Sequence, residues 1–239
     1  MSTGKLEILR MPSLSSQVHA MIKESIMNGG LKSGQRLVVD RLAVAYGVSP
    51  TPVREALARL VQDRIVTEVA PGRLQVVPVT RNYVLDTYWV RSALEGLATE
   101  LSTTRLSTSE VRRLQDLIGF AKQAIDSEDI DLYEKHNQEF HLNIVKACGN
   151  ASLSVNIDVL QMHIVLIRQY FLDSVNSTLD RYTLSNSEHS VIMKEILEQR
   201  PERARLKMEE HVRSAGKRMS KLVGFGEQDQ SGVEAGSDE

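Results

Sequence analysis

The chain of 239 residues has a single cysteine, Cys148, which excludes an intramolecular disulfide and suits a reducing compartment. Long hydrophobic runs are also missing. No stretch approaches the roughly 18 apolar residues that a membrane-spanning helix requires. The N-terminus, Met1 to Pro12, carries no apolar core of the secretory type. The chain therefore reads as cytoplasmic, with no membrane partner. A strong excess of one charge is lacking too, since the net value is only −2. The average conceals a division. Residues 1–78 hold ten Lys/Arg against six Asp/Glu, a balance of +4, whereas the remainder holds nineteen against twenty-five, or −6. A basic segment beside an acidic one is expected where one domain alone meets phosphates.

Past Thr80 no alternating strand pattern occurs. Six amphipathic helical segments can be drawn there, at about 80–103, 107–126, 129–148, 151–174, 181–199 and from Pro201 to Leu222. Ser107 with Glu110 makes a capping box, Gly149-Asn150 a stop, and Pro201 a first helical position. The fold class is mainly α, with an antiparallel helical bundle over residues 79–223. Residues 224–239 carry five acidic residues and no basic one, and read as a disordered acidic tail.

Residues 1–78 hold the sharpest local signal, DRLAVAYGVSPTPVREALARL from Asp40 to Leu60. Asp40 is expected to cap a short helix through Ala45, Gly47 to make the turn, and Val48 to plug the gap. Thr51 should cap the next helix with Pro52 at its first position. Val53, Ala56, Leu57 and Leu60 fall on one buried stripe, leaving Thr51, Arg54, Glu55, Ala58 and Arg59 outward. Two short helices around a glycine turn form a helix-turn-helix, whose second helix enters the major groove. Two β-prone runs, Ile65 to Val69 and Leu74 to Val79, flank Pro71-Gly72 and read as a hairpin wing. Arg73 at its tip can reach a phosphate or a minor groove. Topology alone leaves an ordinary helical hairpin open as the plainer reading.

The helical part carries a second constellation. Asn137 and His141 are four residues apart and share a helix face, with Phe140, Ile144 and Val145 placing His141 inward. His189 accompanies Ile192, Met193 and Ile196, and His211 accompanies Met208 and Val212. Three imidazoles and an amide oxygen turned into one bundle make a candidate site for a divalent transition metal. That ligand mix suits Zn, Ni, Co or Fe, with Mn less favoured. Core histidines without a metal are the plainer alternative. Arg91, four residues before Glu95, reads from its spacing as an internal ion pair.

GLKSGQRL from Gly30 to Leu37 and the VSPTPVREAL run from Val48 to Leu57 resemble the GntR family of regulators. The helical part resembles the FadR-like branch, whose ligand domain is called FCD. Together the resemblance covers about residues 15–222. It implies a sequence-specific transcription regulator bound to a double-stranded DNA operator as a homodimer, with Ser49, Thr51 and Arg54 on DNA. It also implies a metal, Zn or Ni first, at Asn137, His141, His189 and His211, and a small carboxylate effector on Arg91. Three positions depart from the family pattern. Pro50 stands where Arg is usual, Leu74 follows the wing Arg in place of Gly, and Asn137 replaces the commoner Asp. The competing class is a metal-dependent hydrolase or isomerase with a basic appendage. It lacks an HExxH motif. A scaffold that uses a metal only for stability is a further alternative.

Overall fold

The computed structural model describes residues 12–174 and 179–223; the acidic tail lies outside the described residues. The chain divides into two compact units, Met1–Pro78 and Val79–Glu239.

The first unit holds helices α1 (Leu14–Met27), α2 (Val39–Tyr46) and α3 (Pro50–Gln62), and strands β1 (Arg36–Leu37), β2 (Val66–Ala70) and β3 (Arg73–Val76). Val53, Ala56, Leu57 and Leu60 are all fully buried, while Thr51, Arg54, Glu55, Ala58 and Arg59 face solvent. The apolar period of the sequence thus set the orientation of α3. Two caps differ from expectation. α2 begins at Val39 with Val38 at its N-cap, so Asp40 lies inside the first turn, where its charge favours the positive helix end. α3 starts at Pro50 with Ser49 at its N-cap, which puts Thr51 and Pro52 within the helix. Proline at the first helical position fixes φ in the helical range and lacks only an N–H that would be unpaired anyway. Pro50 therefore starts the helix two residues earlier than a Thr51 cap would. Gly47 ends α2 with φ 66°, a conformation only glycine adopts without strain.

The wing is a three-stranded antiparallel sheet ordered β1-β3-β2. Its turn is closed by the Glu68 carboxylate, which accepts from the Gly72 amide at 2.7 Å.

The second unit contains, among the described residues, α4 (Arg81–Thr103), α5 (Thr108–Asp126), α6 (Ile130–Ala147), α7 (Ala151–Ser174), α8 (Leu179–Leu197) and α9 (Pro201–Ser220). The Ser107/Glu110 capping box that starts α5 is formed in both directions. α4 and α9 lie antiparallel in close contact. The approach rests on two glycines, since a Cβ at Gly216 would stand 2.5 Å from Tyr88 Cβ, and one at Gly96 would stand 2.5 Å from Glu209 Cγ. α6 and α8 pack beside this pair, so α4, α6, α8 and α9 surround one core. No described helix is long and apolar enough to cross a membrane.

Candidate functional site

His141 from α6, His189 from α8 and His211 from α9 meet inside the bundle, 2%, 1% and 4% exposed. Their Nε2 atoms converge. His189 Nε2 lies 3.2 Å from His141 Nε2 and 3.1 Å from His211 Nε2. Phe140 stacks on the His189 ring with centroids 4.3 Å apart and so fixes its plane. The far nitrogens of the other two rings have their own partners. His211 Nδ1 is 2.6 Å from Glu188 Oε2, and Glu188 in turn receives both terminal nitrogens of Arg218 at 2.9 Å. His141 Nδ1 lies 2.7 Å from Glu95 Oε2, off the direction of an ideal hydrogen bond. A carboxylate beside Nδ1 favours the tautomer protonated there, which leaves the Nε2 lone pair directed at the common centre.

The electrostatics keep these rings neutral. Burial lowers His141 to about 4, against the opposing pull of Glu95. Burial likewise moves His189 well down and His211 down, although Glu188 resists for His211. Burial works upward on Glu95, yet Arg91 and His141 hold it at about 2. Glu188 stands at about 2 as well, because His211 and Arg218 outweigh its desolvation. Neutral imidazoles backed by carboxylates are the donor set that a divalent transition metal takes.

A cavity of about 70 Å³ opens beside the imidazoles, and Arg91, Asn137, His141 and His211 all line it. Asn137 donates its amide nitrogen to Glu134 Oε2 at 3.3 Å, which leaves its carbonyl oxygen to act as an acceptor. Arg91 is 7% exposed and donates from Nε to Glu95 Oε1 at 2.7 Å. The ion pair and the cavity position therefore coexist. Glu95 connects the two halves of the site, with one oxygen on Arg91 and the other beside His141. Glu95 and Glu188 escaped the sequence reading as site residues. The signals were available, since Glu95 completes the Arg91 spacing and Glu188 immediately precedes His189.

The two remaining histidines of this unit lie elsewhere. His136 packs on Phe120, and His163 meets the Tyr83 hydroxyl at 2.6 Å. In the first unit Ser49, Thr51 and Arg54 are exposed around the start of α3, and Arg73 is exposed where the wing turn enters β3. Arg59 is tied to α1 by a bond to Ser16 at 3.1 Å.

Comparison with known proteins agrees with both units. Residues 14–73 match the model for bacterial regulatory proteins of the gntR family, and residues 86–214 match the FCD domain. The chain is 31% identical to the HTH-type transcriptional regulator McbR of Escherichia coli (strain K12) over 185 residues, covering 77% of this chain and 82% of McbR. It is 28% identical to the HTH-type transcriptional regulator YdhC of Bacillus subtilis (strain 168) over 193 residues, covering 79% and 83%. The solved structure of E. coli McbR/YncC superposes with a TM-score of 0.69 at 25% identity, covering 88% of this chain and 99% of that one.

Proposed function

The chain belongs to the GntR family of bacterial regulatory proteins, in the branch that carries an FCD domain, and from that premise we propose how its regulation works. It is a DNA-binding transcription regulator and not an enzyme. Its DNA affinity, on our reading, is set by a small carboxylate bound beside a divalent metal in the helical unit. His141, His189, His211 and the Asn137 oxygen would hold the ion, with Zn or Ni favoured by the imidazole-rich set. The ion supplies a positive centre that an acid can ligate. Arg91, kept in place by Glu95, would take the same acid by its remaining guanidinium donors. Ser49, Thr51, Arg54 and Arg73 would meet operator DNA, and two copies would act as a homodimer alongside the genome in the cytoplasm.

The observation that carries this reading is the convergence of three buried imidazoles, with His189 Nε2 3.2 Å from His141 Nε2 and 3.1 Å from His211 Nε2, and with carboxylates behind the latter two rings. A single N–H on His189 Nε2 can serve only one of its two imidazole neighbours at a time, whereas a cation at the centre would be shared by all three rings. Elemental analysis of protein prepared without chelator tests this. About one transition-metal ion per chain is expected, with most of it lost in His189→Ala. Equal metal content in the two proteins would remove the site. Gel shifts on the chain's own promoter, with and without candidate acids, then test the coupling. A change of about 5–150-fold in DNA affinity is expected.

A further inference from the structure

Four guanidinium groups line the cavity beside the imidazoles: Arg91, Arg168, Arg181 and Arg218. Three of them face a carboxylate, Arg91 on Glu95 at 2.7 Å, Arg168 on Glu134 at 3.0 Å and Arg218 on Glu188 at 2.9 Å. Arg181 has no such partner among the described residues. Its Nη2 donates to the Tyr182 hydroxyl and its charge sits 4.5 Å from the Tyr182 ring centre, which holds the side chain in position. Its Nε and Nη1 are buried and unpaired. A buried charged donor left without an acceptor costs far more than a paired one, so such a group calls for a ligand.

We propose that Arg181 is the second anion-binding point of this cavity, and that the effector is a short dicarboxylate. One carboxylate lies at the metal and Arg91 and the other on Arg181. This rests on the metal and Arg91 reading above and adds to it the charge and size of the ligand. Size follows from the cavity of about 70 Å³. At roughly 10–15 Å³ for each water-sized position, it has room for about five waters, which suits a compact diacid. Charge follows from the count of unmatched cations. Once the three paired arginines are set aside, a divalent metal with neutral ligands and Arg181 carry three positive charges, of which a dicarboxylate offsets two and a monocarboxylate only one.

The test is calorimetric titration of the full-length, zinc-loaded protein with malonate, succinate and glutarate, each beside its own monomethyl ester. The ester preserves the shape and removes one charge. At least one diacid should bind about tenfold tighter than its ester. Arg181→Gln should erase that preference and leave ester affinity unchanged, and Arg181→Lys should restore part of it. The unliganded Arg181→Gln protein should melt no lower than wild type, since it loses an uncompensated charge; a purely structural arginine would lower the melting temperature. If acids bind and depend on Arg91 and zinc, but Arg181→Gln leaves the diacid preference intact, this inference falls and the proposed site stands. If acid binding is indifferent to zinc and to Arg91→Gln, both fall.

Discussion

An isolated imidazole has a pKa near 6.5 and carries a partial charge around neutrality. Inside this bundle burial moves His141 to about 4 and depresses His189 and His211, while Glu95 and Glu188 sit at about 2. Between about pH 6.5 and 4 the unfolded chain therefore binds protons at these histidines that the folded chain refuses. Stability of the metal-free protein is present in full above the unfolded value of about 6.5 and falls as pH drops toward 4. The carboxylates begin to contribute a loss of the same sign only below about pH 4.3. Thermal melts in the presence of chelator should show a decline on the order of 5 °C between pH 7 and pH 5. A melting temperature flat across that window would mean the imidazoles are charged or solvated. The proposed ligand residues could be picked out in the sequence because Asn137 and His141 have helical spacing, and because all three histidines carry apolar neighbours. The contact from Glu95 to His141 was not. It joins α4 to α6, and no periodicity within one helix reports which side chain of another helix will stand opposite. Arg181 was silent for a related reason. A guanidinium becomes informative only when its neighbours are known to leave it unpaired.

Among the elements, α3 shows how far pattern reading reaches. Four apolar positions fixed its buried face, and the outward residues followed without further information. Its start was misplaced because Ser49, Pro50, Thr51 and Pro52 offer two overlapping cap-and-proline signals, and the first of them wins. The consequence falls on the proposed DNA face. Ser49 is the N-cap and its hydroxyl makes no capping bond, so it remains free to meet a phosphate at the positive end of the helix. Arg54, exposed one turn further along, is expected to read a base edge. Arg54→Ala should weaken operator binding by about 1–3 kcal/mol and leave the melting temperature unchanged. Unaltered operator affinity in a folded variant would assign the recognition surface elsewhere. β1 was missed outright. Two residues carry no period, and Arg36–Leu37 becomes a strand only because β3 offers it a partner.

For the molecule as a whole, the charge division between residues 1–78 and the rest was visible in the sequence and matches the division into two compact units. A single helix-turn-helix reads few base pairs, and two-fold symmetry doubles the readout. The full chain is accordingly expected to sediment as a dimer at micromolar concentration and to protect two half-sites related by a pseudo-palindrome. A monomer that persists on operator DNA would count against this. His141 and His189 are 48 residues apart, and His189 and His211 are 22 apart, on three separate helices. On the proposed reading, a cation gripping all three is a reversible cross-link that closes two long loops. The unfolded chain has no preformed site, so the ion holds those loops closed only in the folded bundle, and its binding free energy adds to stability only while it is present. Metal supply then sets how often the bundle opens, and hence how long each copy survives the cell's proteases. The number of regulator molecules present, and not only their grip on DNA, becomes a record of the metal available when they folded.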